Sequence, residues 1–250
     1  MSKKGFVYLC IERLLAKCTD RIVCISKAEK TSAVTHDIAD DKKLELIQNG
    51  VDVKSVMNAV ARKRSDLNIP DDAYVIGMIG RLSKQKAPDT FIHAANLIIK
   101  EIPNASFMIV GDGEQREEIE QYAKEHGIPL YITGWTDTPY EYLKVFDLAM
   151  LLSRWEGFGL AIVEYMAAEK NFIATRVDAI PTIVDDGVDG LLVDMDNAED
   201  VRDKVMILYN DKDLSATLRK NALKKVCENY DISRVAEQHI KMFNDLLKNK

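Results

Sequence analysis

The chain has 250 residues, of which 47% are hydrophobic, so it can bury a core. Its charged residues make up 30%, carry both signs and sum to a net charge of −6, which gives no electrostatic reason to expect nucleic-acid binding. The apolar run at 6–11 ends at Glu12 and is too short for a signal peptide or a membrane span. The four cysteines lack metal-ligand spacing: Cys10, Cys18, Cys24 and Cys227. No zinc site or disulfide framework is therefore predicted, and a reducing, cytoplasmic compartment is favoured.

The first fifty residues predict a small mixed segment: a helix at 7–16, a strand at 21–25, a helix at 27–38 and a strand at 44–48. Two strands are too few for an independent sheet, so this segment is expected to be the end of a larger unit or an edge laid onto the next one. Asn49-Gly50 is typical of a hairpin, but the helical pattern after Val53 favours a turn or linker over residues 49–52.

Between residues 73 and 193, short β-branched apolar runs alternate with helical patterns, which predicts an α/β fold with a doubly wound, mostly parallel sheet. The predicted strands are 74–79, 106–110, 130–133, 148–152, 172–175 and 190–193. The predicted helices are 88–101, 115–126, 139–145 and 160–168, followed by additional C-terminal helices at 201–209, 214–229 and 235–247. Pro88 suits a first helical turn and Gly127 a helix end.

Ligands of open parallel sheets bind at the carboxyl ends of the strands, so the residues that follow each predicted strand are the candidates. Glycines, cations and polar side chains follow five of these strands, at 80–86, 111–114, 134–137, 153–159 and 176–179. Gly111-Asp112-Gly113 is interpreted first as the start of a helix, and Lys63-Arg64 as a solvated helix face. The histidines have no carboxylate or cysteine partner at ligand spacing and receive no catalytic role: His36, His93, His126 and His239.

Arg81 and Lys86 bring two cations to the loop after the first of these strands. A guanidinium fork and an ammonium can hold a diphosphate by charge-assisted hydrogen bonds, although the same residues also suit a solvated loop. The segment Gly157-Phe158-Gly159 before a helix lets backbone amides approach an anion, but many such turns are rich in glycine.

Glu156 and Glu164 stand eight positions apart, one in a loop and one in the following helix. Five helical residues span roughly 7 to 8 Å, so the two carboxylates can bracket a ligand that lies on the helix N-terminus. Carboxylates repel phosphate, and their natural partners would be sugar or ribose hydroxyls. The alternative is that both acidic residues only complement the helix dipole.

These residues resemble a known family, the family-4 retaining glycosyltransferases, also called glycosyltransferase group 1. Glu156-Gly-Phe-Gly-Leu-Ala-Ile-Val-Glu164 resembles the family's E-x7-E motif, and 80–86 resembles its donor-phosphate loop. Val110-Gly-Asp-Gly113 and Thr133-Gly134 are similar to two further turns at the same edge, and Asn49-Gly-Val-Asp52 to the interdomain linker. The resemblance covers about 20–247 and implies the GT-B fold, in which two Rossmann-like domains face each other.

The resemblance implies a role for each candidate. Arg81 and Lys86 would bind the donor pyrophosphate in place of a metal ion, so neither a metal nor another cofactor is expected. Glu156 would contact donor-sugar hydroxyls and Glu164 the nucleotide ribose. The remaining donor-binding candidates are Gly134 and Trp135, which would lie near the base, and Gly157, Phe158, Gly159 and Leu160, whose backbone would face the sugar or phosphate.

The sequence also departs from the family pattern. Glu169-Lys170-Asn171 stands where Gly-x-Pro is usual, and Ala87 stands where glycine is usual. Where the family often has Gly-Gly-x-Pro-Glu, this chain has 178–182, in which Asp178 adds a negative charge near the donor loop.

The resemblance divides the chain into three parts: 1–50 as a remnant of an N-terminal acceptor domain with its linker, 51–232 as the donor-binding domain, and 233–250 as a helix that packs back on the N-terminal domain. Most of the acceptor domain would be absent, so the isolated chain is expected to be inactive. An apolar face and self-association are then expected at Val7, Leu9, Leu14, Leu15, Met242, Phe243 and Leu246.

The implied function is transfer of a hexose or N-acetylhexosamine from a nucleotide sugar to a glycan or lipid-linked acceptor, with retained anomeric configuration. Peripheral contact with a membrane is compatible with this function. One alternative is a non-catalytic nucleotide-sugar-binding or assembly module. Another is an epimerase or phosphorylase on the same fold, but an epimerase would need acid and base groups that this edge does not offer beyond its two glutamates.

Overall fold

The computed structural model describes residues 3–248, with side chains from residue 7 onward. Its N-terminal segment contains α1 (Lys3–Lys17), β1 (Ile22–Cys24), α2 (Lys27–Thr35) and β2 (Leu44–Leu46). The two strands pair in parallel, and a small core of Cys24, Ala33 and Leu44 lies between them and α2. Ser26 caps the start of helix α2, because its hydroxyl accepts the Glu29 N–H, and the helix ends three residues earlier than predicted.

Residues 49–52 form a connection and no hairpin, as predicted. Val51 bridges Asp231 in parallel, and its N–H donates to the Tyr230 carbonyl at 2.9 Å. The short helix α3 (Val53–Asn58) follows, with the Asp52 side chain accepting the Ser55 N–H at its start. The linker is therefore held against the segment that precedes the last helix of the chain.

The main sheet has six parallel strands, which confirms the predicted fold class. They are β3 (Tyr74–Ile79), β4 (Ala105–Val110), β5 (Leu130–Ile132), β6 (Leu148–Leu151), β7 (Asn171–Thr175) and β8 (Leu191–Val193). Their spatial order is β5-β4-β3-β6-β7-β8, so the chain builds outward in one direction from β3 and then returns to build outward from β6. The order reverses between β3 and β6, and this is where ligands of doubly wound sheets bind.

The helices that follow the strands are α4 (Pro88–Glu101), α5 (Arg116–Glu125), α6 (Pro139–Leu143), α7 (Leu160–Ala167), α8 (Ala198–Asn210), α9 (Lys212–Asn229) and α10 (Ile232–Lys248). They differ from the predicted helices by three residues or fewer at either end. Within residues 3–248, no helix is long and apolar enough to cross a bilayer.

Side chains of the central strands alternate between two cores, one on each face of the sheet. Along β6, Leu148 and Met150 pack with α4 and α8 on one face, and Ala149 and Leu151 pack with α7 on the other. Both faces of the sheet are covered, which explains why the strands read as nearly continuous apolar runs in the sequence.

One sequence interpretation is wrong: Arg64 does not lie on a solvated helix face. It lies at the amino edge of the sheet, where the first residues of the strands begin, and its Nη1 donates to the Asp71 and Ala73 carbonyls at 2.9 and 2.7 Å. Its Nη2 pairs with Asp147 Oδ2 at 3.0 Å, and the same oxygen accepts the Val75 N–H. The guanidinium therefore ties the start of β3 to the start of β6.

The departures from the family pattern at 87 and 169–171 also have structural consequences. Glu169 adopts a left-handed φ of 56° after α7, and Ala87 adopts one of 49° before α4, so both residues hold conformations that favour glycine. Lys170 Nζ donates to the Lys144 and Phe146 carbonyls at 3.0 and 2.6 Å. Burial lowers the pKa of this ammonium to about 8. Glu169 and Lys170 belong to the amino edge, away from the candidate residues at the carboxyl ends of the strands.

The predicted apolar face is only partly exposed. Val7, Leu14, Leu15 and Phe243 are exposed, whereas Leu9 and Leu246 are half-buried. Met242 is buried against Ile47 and Val235, so its predicted exposure is wrong. Helix α10 thus contacts the N-terminal segment through its apolar stripe.

Candidate functional site

A crevice opens at the carboxyl ends of β3 and β6 because these two strands pair over only part of their length. The two strands pair only at Ile76↔Leu148 and Gly77↔Ala149. Further along, the buried Tyr165 hydroxyl stands between them, because it accepts the Ile79 N–H at 3.0 Å and donates to the Met150 carbonyl at 3.1 Å. The loops that follow β3 and β6 therefore diverge around a space at the point where the strand order reverses.

Lys86 and Glu156 meet in this crevice. The Lys86 ammonium forms an ion pair with Glu156 Oε1, and Ser153 Oγ donates to the same oxygen at 2.7 Å. Glu156 is buried and the Lys86 side chain is 20% exposed. A buried carboxylate with a cation and a hydroxyl on one oxygen keeps its second oxygen for hydroxyl donors of a ligand.

Asp178 lies in segment 178–182, which departs from the family pattern. It contacts the Lys86–Glu156 pair through the backbone. Its Oδ2 accepts the Glu156 N–H at 2.9 Å, and Asp178 itself has a left-handed φ of 42°. The added negative charge therefore lies beside the candidate site, as predicted, where it also holds the loop that carries Glu156.

Glu164 lies one helix turn inside α7 and has a different environment. Its Oε1 accepts a hydrogen bond from the Tyr140 hydroxyl at 3.1 Å. Burial raises the pKa of the Glu164 carboxyl, and the Tyr140 hydroxyl and the nearby Lys86 charge lower it in part. Burial beside this carboxyl also raises the pKa of Tyr140 to about 12. Lys86 therefore acts electrostatically on both glutamates of the motif.

The start of α7 presents backbone N–H groups to the same crevice. Gly159 precedes the helix with a left-handed φ of 92°, and a Cβ there would lie 2.6 Å from Ile180 Cδ1, so glycine is required by conformation and by space. Phe158 is buried, whereas Gly157 and Leu160 are exposed. The N–H groups of a first helical turn have no partner within the helix and attract anions.

A cavity of about 460 Å³ lies beside the crevice. Arg81 lines it from the β3 loop and Trp135 from the β5 loop; the other lining residues are Ile79, Gly80, Val110, Gly111, Asp112, Thr136 and Pro139. The Arg81 side chain is 74% exposed and its Nε pairs with Glu114 at 3.3 Å, while Trp135 is 81% exposed. Gly111-Asp112, interpreted first as the start of a helix, thus also forms part of the cavity wall.

The structure brings together Lys86, Glu156 and the start of α7, and it places Arg81 and Trp135 in the neighbouring cavity, with Gly134 buried next to Trp135. The sequence analysis gave no role to three residues of the site: Ser153, Tyr140 and Arg154. Ser153 and Arg154 carried a signal, since both follow a strand at the candidate edge. Tyr140 carried none, because its partner Glu164 is 24 residues away.

Among the described residues, no group of three or more histidine, cysteine or acidic side chains could hold a metal ion. Lys86 lies in the crevice as a cation, and Arg81 is a more distant one. They can neutralise an anion directly.

Residues 60–225 match the family model described as glycosyl transferases group 1, which is more than half of the chain. The chain belongs to the group 1 glycosyltransferase family. The matched residues include every candidate site residue from Arg81 to Glu164. Residues 1–59 and α10 lie outside the match.

Several curated relatives of this chain are named as sugar-transferring enzymes. The chain is 29% identical over 252 residues to the Escherichia coli UDP-Gal:alpha-D-GlcNAc-diphosphoundecaprenol alpha-1,3-galactosyltransferase, covering 98% of this chain and 65% of the relative. It is 31% identical over 207 residues to an uncharacterized glycosyltransferase of Methanocaldococcus jannaschii, covering 81% of this chain and 53% of the relative. The chain thus spans roughly half to two thirds of the length of these relatives.

Solved structures support the same fold. The C-terminal domain of the group 1 family protein LpcC from Francisella tularensis is 29% identical, with a TM-score of 0.65, and the match covers 73% of this chain and all of that domain. The Anabaena protein HepE in complex with UDP-glucose has a TM-score of 0.83 at 21% identity, over 95% of this chain and 68% of HepE. These similarities confirm that the sheet and its helices form one Rossmann-like domain of the GT-B fold.

Proposed function

We propose that residues 51–232 bind the nucleoside diphosphate part of a sugar donor at the crevice between β3 and β6. The observation that carries this proposal is the contact between Lys86 and the buried Glu156, beside the start of α7. A diphosphate would replace Glu156 as the partner of Lys86 and accept N–H groups from the first turn of α7. Arg81 would leave Glu114 and bind the same anion from the cavity side.

The two glutamates would take the hydroxyl groups of the donor. Glu156, released from Lys86, would accept hydrogen bonds from the donor sugar, and Glu164 would accept them from the nucleotide ribose. Trp135 and Gly134 would lie beside the base in the cavity of about 460 Å³. The cations would stabilise the charge that develops on the departing diphosphate, so no divalent metal is needed.

For the whole reaction we propose transfer of a hexose or N-acetylhexosamine to a glycan or lipid-linked acceptor. The E. coli relative is named for a UDP-Gal donor and a diphosphoundecaprenol acceptor, and a Staphylococcus aureus relative for N-acetylglucosaminyl transfer to poly(ribitol-phosphate). UDP-sugars are therefore the first donors to test. The acceptor would bind across the crevice on a facing domain, contributed in part by residues 1–50 and α10, and residues 51–232 alone would transfer no sugar.

The test is a calorimetric titration of the chain with UDP, uridine and a panel of UDP-, GDP- and ADP-sugars, with and without EDTA. We expect nucleoside diphosphate binding that EDTA leaves unchanged. Arg81→Ala is a clean probe because the side chain is exposed and its loss does not unpair a buried charge. It should weaken UDP binding by about 1.5 to 3 kcal/mol, the loss of a charge-assisted hydrogen bond, and leave uridine binding unchanged.

Lys84→Ala provides the matched control, since Lys84 is an exposed cation of the same loop. It should leave UDP binding within error of the wild type. Binding that collapses in EDTA would contradict the metal-free site, and equal weakening of UDP and uridine by Arg81→Ala would contradict the phosphate assignment.

A further inference from the structure

Arg154 connects four chain segments around the crevice. Its Nη2 pairs with Asp89 at 2.6 Å at the start of α4, and its Nε pairs with Asp196 at 2.8 Å after β8. Its Nη1 donates to the Lys84 carbonyl at 2.8 Å, in the loop that carries Lys86. Every nitrogen of the guanidinium is engaged, and the side chain is only 15% exposed.

The backbone of the Arg154 loop reinforces the same connection. The Arg154 N–H donates to the Gln85 carbonyl at 2.8 Å, and the Gln85 side-chain amide donates to the Trp155 carbonyl at 3.0 Å. Residues 83–86 form a turn in which the Lys86 N–H donates to the Ser83 carbonyl at 2.9 Å. The loop with Lys86 and the loop with Glu156 are thus joined on both sides of Arg154.

Asp196 is itself held in place, because it also accepts a hydrogen bond from Thr90 at 3.1 Å. Arg154 therefore sits between two carboxylates that are fixed by α4 and by the turn after β8. With its charge balanced by Asp89 and Asp196 and each of its three nitrogens already donating a hydrogen bond, Arg154 is a poor ligand for a phosphate.

We propose that Arg154 is a positioning residue of the donor site: it holds the 83–86 turn so that Lys86 meets the diphosphate at the start of α7. The proposal rests on the proposed function. Lysine has a flexible four-carbon stem, so its ammonium is placed only as well as the backbone that carries it. A planar guanidinium fork that spans a carbonyl and two carboxylates supplies that rigidity before the ligand arrives.

The experiment compares Arg154→Ala and Arg154→Lys with the wild-type chain. Affinity for UDP and for uridine is measured by calorimetry, and amide hydrogen exchange of peptides over 82–86 is followed in the ligand-free chain. We expect the affinity of both variants for UDP to fall by about tenfold or more, as when a charge-assisted hydrogen bond is misplaced. Their affinity for uridine should stay unchanged. Exchange over 82–86 should be faster in both.

Arg154→Lys keeps a positive charge between the two aspartates but lacks the fork that reaches the Lys84 carbonyl. If it restored wild-type UDP affinity and exchange while Arg154→Ala did not, Arg154 would act through its charge alone, and positioning would be wrong. Unchanged exchange over 82–86 in both variants would overturn the proposal whatever the ligand data show.

Arg64→Ala is the matched control, because the Arg64 guanidinium also has three partners, two carbonyls and one carboxylate, but lies at the opposite edge of the sheet. It should leave the ratio of UDP to uridine affinity unchanged and should not alter exchange over 82–86. A wild-type chain that binds no nucleoside diphosphate would overturn the proposed function. Equal UDP affinity of Arg154→Ala and a wild-type chain that binds UDP would overturn only the role of Arg154.

Discussion

The two edges of the six-stranded sheet use partly buried cations differently. At the amino edge, the donors of Arg64 and Lys170 go mainly to backbone carbonyls, those of Asp71, Ala73, Lys144 and Phe146. At the carboxyl edge, Lys86 pairs with the Glu156 side chain. The carbonyl-bound cations close the ends of helices and strands, whereas Lys86 would exchange Glu156 for a phosphate in the proposed function.

The backbone differs between the edges in the same sense. The carboxyl edge places Gly159 before α7, where a side chain would clash with Ile180. The amino edge has Glu169 in a left-handed conformation after the same helix, with its side chain exposed. We therefore expect departures from the family pattern at the amino edge to affect stability, and those at the carboxyl edge to affect the proposed donor site.

Arg64→Ala should produce the largest effect on stability. It leaves two carbonyls and the Asp147 carboxylate without their shared donor, so the free energy of unfolding should fall by about 2 to 3 kcal/mol. Urea unfolding measures the loss, and UDP titration of the folded variant should give wild-type affinity. Loss of UDP affinity in the folded variant would show that the two edges are not independent.

Glu164→Gln should sharpen the comparison by separating stability from binding. Burial raises the folded-state pKa of Glu164 above its unfolded value, so the ionised carboxylate costs stability above the folded pKa, and this cost is lost as the pH falls below the unfolded value. The variant should be more stable than the wild type at pH 7, by on the order of 1 kcal/mol, but not at about pH 4.

The same variant should bind UDP with less preference over 2′-deoxy-UDP, since the ribose hydroxyls lose a charged acceptor. Calorimetry at pH 7 measures the preference. Glu141→Gln is the control, as Glu141 lies on α6 but pairs with Arg62 at 2.7 Å and not with the crevice. If Glu164→Gln lowered stability at pH 7, the carboxylate would be structural, and its assignment to the ribose would lose support.

Glu169→Gly should have the smallest effect. The Lys170 N–H donates to the Tyr165 carbonyl and the Glu169 N–H to the Met166 carbonyl, the Schellman arrangement that favours glycine at 169. Relief of the left-handed conformation should raise the free energy of unfolding by about 0.5 to 1 kcal/mol and leave UDP affinity unchanged.

Helix α5 offers a matched control for this substitution. It ends in the same arrangement, with Ile128 donating to Ala123, but has Gly127 with φ of 65° at the equivalent position. Gly127→Glu should destabilise the chain by about the amount that Glu169→Gly stabilises it, as thermal unfolding would measure. A destabilised Glu169→Gly variant would mean that the Glu169 side chain makes a favourable contact.

The strands and helices of the main sheet could be predicted because their signals are local. Apolar runs of β3 and β4, the proline that begins α4 and the glycine that follows α5 act within a few residues, so the boundaries agree closely with the structure. The order of strands and helices also predicts which loops share the carboxyl edge. The sequence therefore determined the fold class and the list of candidate residues.

Which candidates touch one another was decided only by the tertiary structure. Lys86 and Glu156 are 70 residues apart, Arg64 and Asp147 are 83 apart, and Arg154 reaches Asp89 and Asp196 across 65 and 42 residues. The sequence offers each charged side chain several possible partners of similar interaction energy, and the geometry of the folded loops selects one of them. For this reason Arg64 and Lys86 look alike as cations of polar segments, although one holds the sheet together and the other faces the crevice.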